Sequence, residues 1–172
     1  MPVKIKPIQT KIPGFIIRHA EEQDVPLIHE FIRQLAIYEK LFDQMVATKK
    51  DLRKNLFGDS RYAETIIGYE GDKPVCFALY FYNFSTFLGK PGIYLEDLFV
   101  YSDYRGKGYG KAMLTYLAKL AVENGCGRLE WAVLDWNEPS LVFYESLGAR
   151  PMKEWIINRV DGTNLKNLAK QF

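Results

Sequence analysis

From residue 105 to 110 the chain reads Arg105-Gly106-Lys107-Gly108-Tyr109-Gly110, a dense mix of glycine and cation. Residues of these types at this spacing suit the holding of a phosphate. The segment falls between an apolar stretch, Ile93 to Val100, that predicts a strand and an amphipathic helix expected from Gly108 to Asn124. Glycine lets the backbone approach a ligand and adopt positive φ without steric cost. The first amides of the helix then point outward as donors, reinforced by the positive end of its dipole. Two familiar phosphate loops do not fit. A Walker loop needs Lys and then Ser or Thr after its last glycine, whereas Gly110 is followed by Lys111-Ala112. A dinucleotide fingerprint needs a glycine where Lys111 stands and an acid on the following strand, where only Glu130 is found.

A second feature is Glu96-Asp97 in the middle of the same predicted strand. Ile93, Tyr94, Leu95, Leu98, Phe99 and Val100 around them imply burial on both faces, where an unpaired carboxylate is costly. Strict alternation places Glu96 with Tyr94 and Leu98, and Asp97 with Leu95 and Phe99. Each acid is read either as a hydrogen-bonded structural group or as a contact for a cationic ligand. Further on, Leu141, Tyr144 and Leu147 form a helical stripe, and by spacing alone Tyr144 belongs to packing.

Longer motifs narrow the field. Arg-x-x-Gly-x-Gly resembles the pyrophosphate loop of the acetyl-CoA-dependent GNAT superfamily of N-acetyltransferases. Around it stand Tyr94-Leu95-Glu96-Asp97, Ser102-Asp103-Tyr104-Arg105-Gly106, Asp135-Trp136-Asn137-Glu138-Pro139-Ser140, Phe143-Tyr144 and Leu147-Gly148-Ala149. With Leu35-Ala36-Ile37-Tyr38-Glu39-Lys40 near the front, they make the chain similar to the diamine acetyltransferases, which act on spermidine, spermine and thialysine. The resemblance runs from about Phe15 to the C-terminus.

That resemblance implies roles. Arg105, Gly106, Lys107, Gly108, Tyr109, Gly110 and Lys111 match the pyrophosphate loop, and Leu98, Phe99 and Val100 match the strand end that meets the pantetheine arm. Asn137 and Ser140 match polar cofactor contacts, although helix capping accounts for Asn137 equally well. Tyr144 matches a tyrosine beside the coenzyme sulfur that protonates the departing thiolate. Tyr38, Glu39 and Glu96 match acceptor contacts, with a solvated helix end as the plain alternative for the first two. A primary ammonium of pKa about 10.4 must lose a proton before it attacks a thioester, and that step is roughly 4 kcal/mol uphill at pH 7. Glu96, its own pKa raised by desolvation, is the expected base, directly or through water.

After Glu39 the chain departs from the polyamine enzymes: Lys40-Leu41-Phe42-Asp43-Gln44 lacks their added carboxylates. That stretch and Ala132-Val133-Leu134-Asp135-Trp136-Asn137 look more like the thialysine branch, and Lys153-Glu154-Trp155 keeps part of an acidic-tryptophan motif. The acceptor stays open among diamines, polyamines and lysine-like amino acids. A protein-lysine or N-terminal acetyltransferase and a non-catalytic acyl-CoA-binding module are the alternatives. The family implies a homodimer.

Composition is that of a soluble globular protein. The chain has 172 residues, 48% hydrophobic and 26% charged, enough for one domain with a real core. A net charge of +2 without a basic run gives no reason to expect nucleic acid. No apolar stretch nears a membrane span and the first residues lack a signal-peptide core, so a cytoplasmic location is expected. Cys76 and Cys126 lack metal-ligand spacing and read as buried thiols, with no metal expected.

The elements that must position these groups follow from periodicity. Residues 1–14 read as a lead-in, and 15–172 as one α/β domain of the GNAT fold. Its mixed central sheet is an antiparallel meander plus one parallel crossover, flanked by helices. Strands are expected at 15–18, 62–69, 74–82, 93–100, 128–134 and 155–160. Helices are expected after an Asp24 cap, at 49–57 and 108–124, from Pro139 to before Gly148, and at 163–170. Residues 41–48 read as a loop.

Overall fold

A computed structural model describes residues 6–172. It divides into a first unit that ends at Ala132 and a second, Val133–Phe172. In the first, six strands run in sheet order β1 (Ile8–Gln9), β2 (Phe15–His19), β3 (Glu64–Glu70), β4 (Lys73–Ser85), β5 (Lys90–Val100) and β6 (Leu129–Trp131). The first five pair antiparallel and β6 joins β5 in parallel. This is the expected mixed sheet, with a short strand added inside the lead-in.

Helices α1 (Val25–Tyr38) and α2 (Lys49–Phe57) cover one face of the sheet. The α1 stripe expected from three-four spacing buries Ile28, Phe31 and Leu35 against Ile67, Phe77, Leu79 and Phe99. Each such side chain contributes about 1.5–3 kcal/mol when fully buried. Helix α3 (Tyr109–Glu123) covers the other face, with Met113 and Leu117 buried and the Tyr109 ring stacked on Phe15 at 4.2 Å. α2 spans the expected 49–57, and its start is closed by a box that the sequence reading did not single out: Thr48 Oγ1 accepts the Asp51 amide and Asp51 accepts that of Thr48.

Asp24 precedes α1 but does not cap it with its side chain. Its carboxylate instead takes both Arg18 terminal nitrogens, at 2.7 and 2.8 Å, and the Glu21 amide. Asp24 is thus committed to a two-point charged pair with Arg18 at the end of β2, six residues earlier, and to the turn before α1 rather than to α1 itself.

The β4–β5 ladder departs from plain alternation. Leu79 pairs with Asp97, but Tyr80 pairs with Leu95, so Glu96 is an extra residue in a β-bulge. Paired residues share a face. Asp97 therefore lies with Phe77, Leu79 and Phe99 on the side covered by α1, while Leu95 lies on the opposite face. The expected grouping of Asp97 with Leu95, and of Tyr94 with Leu98, is overturned by this one inserted residue.

The strand expected at 128–134 is shortened to Leu129–Trp131. The second unit holds two helices, α4 (Glu138–Ser146) and α5 (Gly162–Ala169), at the predicted places. Residues 155–160 form no strand there; Trp155, Ile156 and Ile157 are exposed. Strand preference is a fit to a neighbouring pleated surface, and among the described residues no strand pairs with this segment.

Candidate active site

The site is built around the C-terminal end of β5. β6 pairs with β5 only from Ile93 to Leu95. Past that point, the β5 edge at Glu96–Val100 has no strand beside it among the described residues. Leu98 and Val100 are half-buried on this stretch and Phe99 is buried in the α1 core. An open edge of a buried strand offers amides and carbonyls to an extended ligand.

After Val100 the chain makes one tight turn, Ser102–Tyr104, and enters the glycine loop. Gly106 has φ +76° and Gly108 φ +85°, left-handed values that an L side chain adopts only with strain. Gly108 thereby turns the chain into α3, whose first helical amide bond runs from Ala112 to the Gly108 carbonyl at 2.9 Å. The amides of Tyr109, Gly110 and Lys111 precede that bond and are the orphan donors of a helix start. Gly106 meets no atom within 4 Å of where a Cβ would stand, so the loop has open space on that side. These features fit a diphosphate.

The loop cations are held. Lys107 Nζ lies 3.0 Å from Glu70 Oε1, and the Tyr109 hydroxyl donates to the same oxygen at 2.6 Å. The Tyr109 phenol and then Lys107 keep Glu70 below the usual carboxylate range. Sequence reading missed Glu70, which looked like a hairpin residue; its partners stand nearly forty positions away. Arg105 donates from Nε to the Val100 carbonyl at 3.0 Å and lies over the Tyr38 ring, 4.4 Å from its centre, and over Phe99 at 5.6 Å.

Acids gather near the same end of β5. Glu96, at the bulge, is exposed, and Asp97 beside it is pushed up to about 7 by burial, then by the charges of Glu96 and Glu39. Glu39, at the C-terminal end of α1, is itself raised by burial. The fold thus collects residues 39, 96 and 97 into one region of negative charge. Two of the three, Glu39 and Asp97, are desolvated, and a bound cation would relieve the repulsion among them. Among the described residues, no group of three or more His, Cys, Asp or Glu side chains is arranged to hold a metal ion.

The structure brings Tyr38, Glu39, Glu96, Leu98, Phe99, Val100 and the loop from Arg105 to Lys111 into one neighbourhood of the first unit. Asn137, Ser140 and Tyr144 lie in the second unit, the first just before α4 and the other two within it. Asn137 occupies the position before α4 without a side-chain cap bond, and the Ser140 amide donates to its carbonyl. Tyr144 lies later in α4, its ring 5.3 Å from that of Phe143. Cys76 is a buried free thiol pushed up to about 12 by burial, and Cys126 is free and half-buried.

Residues 32–149 match the acetyltransferase (GNAT) family. The thialysine N-epsilon-acetyltransferase of Bos taurus is 36% identical, the match covering 90% of this chain and 96% of that protein. The L-ornithine N5-acetyltransferase of Arabidopsis thaliana is 33% identical over 90% of this chain and 87% of that one. Among solved structures, an integron cassette protein from the mobile metagenome of V. cholerae superposes with a TM-score of 0.77. It is 30% identical, with 91% of this chain and 98% of that one covered.

Proposed function

This chain belongs to the acetyltransferase (GNAT) family and is an acyltransferase; from that premise we propose that it acetylates a primary amine of a small diamine, polyamine or lysine-like amino acid. Acetyl-CoA is the donor in this reading and transfer is direct. One observation carries it: a diphosphate-ready glycine loop and a cluster of carboxylates flank the same open strand end. The relatives named for thialysine and L-ornithine favour an amino acid with a terminal amine among these acceptors.

The loop amides from Tyr109 to Lys111, with Lys107 and Arg105, hold the diphosphate, and Asn137 and Ser140 add polar contacts. Acetyl-CoA supplies an activated acyl carbon and a thiolate leaving group. Glu39 and Glu96, with Tyr38, receive the ammonium, and Glu96 takes its proton so that the nitrogen can attack. A backbone amide between Leu98 and Val100 steadies the developing oxyanion. Tyr144 donates its phenolic proton as the carbon–sulfur bond breaks; a phenol of ordinary pKa about 10 stays protonated at neutral pH and meets a thiolate of about 8.5.

Direct transfer is supported by the state of Cys76, too buried and too high in pKa to carry an acyl group. The catalytic domain is taken as residues 15–172, working as a homodimer in the cytoplasm. No described helix is long and apolar enough to cross a membrane. The deciding experiment is a thiol-release screen with acetyl-CoA against putrescine, spermidine, spermine, lysine, thialysine and ornithine, with lysine-containing peptides alongside. Turnover of one or more amines, with little on lysine peptides, is expected. Turnover of peptides alone, or none at all, would reject the assignment.

A further inference from the structure

Arg105 stands in the loop read above as the diphosphate site, yet its guanidinium is laid over Tyr38. Nε is fixed on the Val100 carbonyl at 3.0 Å, and the guanidinium carbon lies 4.4 Å from the centre of the Tyr38 ring. Phe99 supports it at 5.6 Å from its own ring centre. Phe99 belongs to the buried cluster, and Tyr38 packs against that cluster from the end of α1. One planar cation thus joins the strand that carries Glu96 and Asp97, the phosphate loop, and the last turn of α1 with Glu39 next in sequence.

Such a group fixes orientation as well as charge. A guanidinium stacked on an aromatic face and anchored by one donor holds that ring in one plane. Tyr38 and Glu39 close α1, where the Glu39 and Leu41 amides donate back to Leu35 and Ala36 and Lys40 turns at φ +61°, so the backbone is fixed locally and the cation over Tyr38 acts on the plane of its ring. We propose that Arg105 is a positioning residue for the acceptor: it holds the plane of the Tyr38 ring at the end of α1 and thereby couples occupancy of the phosphate loop to acceptor affinity. This rests on the acetyltransferase reading. A ligand drawing on Arg105 at one end alters the brace on Tyr38 at the other, and such coupling between two ligands is reciprocal.

The test is a double-mutant cycle read in both Michaelis constants, using the amine that the wild type turns over best. At saturating acetyl-CoA, Arg105→Gln raises acceptor KM about three- to tenfold. Tyr38→Leu raises it to a similar degree, and the double variant is no worse than Tyr38→Leu alone. At acceptor concentrations well below its KM, where the coupling is not expressed, Tyr38→Leu leaves the KM for acetyl-CoA within about twofold. In acceptor KM Arg105→Lys, which keeps the charge without the plane, falls between Gln and wild type. If Arg105→Gln does not fold, the same cycle is run with Arg105→Lys. Additive effects, or an Arg105 variant that alters only the KM for acetyl-CoA, overturn the coupling while an active wild type preserves the enzyme assignment. A wild type that releases no thiol with any amine overturns both.

Discussion

Asp97 lies directly across the β4–β5 ladder from Leu79, so a carboxyl shares the apolar face of Phe77 and Phe99. Burial, then Glu96 and Glu39, lift it from 3.8 to about 7. The folded state therefore keeps a proton that the unfolded chain has released, and Asp97 lowers stability progressively as pH rises from about 4 to about 7. Replacing it by Asn removes that slope. Thermal melts of Asp97→Asn and wild type should diverge in favour of the variant across this window, by a few kcal/mol at its upper end. A gap that stays constant with pH would refute the assignment.

Glu96 stands at the bulge, exposed, on the open strand end. Glu96→Gln keeps the shape and removes the proton acceptor. It should lower kcat/KM about 10²-fold, measured by thiol release from pH 6 to 9. Retention of the wild-type profile over that range would exclude the base role.

Tyr144→Phe should lower kcat by about 10²-fold while changing the KM for acetyl-CoA little. The loss belongs to thiolate departure, so thiol release is the measurement of choice. An unaltered kcat would return Tyr144 to the packing role that its spacing with Leu141 and Leu147 allows.

Gly106 and Gly14 make a matched pair, at φ +76° and +74°, and an added Cβ at either would meet no atom within 4 Å. Alanine at either should cost about 1–2 kcal/mol from backbone strain alone. Only Gly106→Ala should also raise the KM for acetyl-CoA, because only that position lies in the phosphate loop. Equal KM values for the two variants would detach the loop from the donor.

Asp24 has a different pH signature. Burial opposes its charge, but the Arg18 hydrogen bonds and the Glu21 amide outweigh it and hold its pKa below the ordinary value. The stability it contributes is present above about pH 4 and is lost as pH falls through the lowered pKa. Asp24→Ala should cost about 2–4 kcal/mol at pH 7, the partial exposure of Arg18 keeping it below the fully buried case. In urea melts the deficit should shrink as the solution is acidified below the ordinary carboxylate range; a deficit independent of acid would contradict the pairing.

Much of the fold could be read locally. The three-four spacing of Ile28, Phe31 and Leu35 and the Thr48–Asp51 box concern residues within a turn or two of one another. So does the Gly108 start of α3. Such signals survive without the rest of the molecule. The strand expected at 155–160 fails for the converse reason: Trp155, Ile156 and Ile157 have strand-like side chains, but a strand exists only through a neighbour.

By itself the sequence determined the loop, its glycines and cations, the helix that receives it and the acids one strand earlier, because backbone sterics and short-range periodicity are properties of adjacent residues. Only the tertiary structure decided that Glu96 would be extruded as a bulge and that Asp97 would face the α1 core. It alone set Glu70 to restrain Lys107 and Arg105 to lie over Tyr38. Those outcomes depend on cross-strand register and on side chains tens of residues apart, whose energies arise only once the sheet and its helices are assembled.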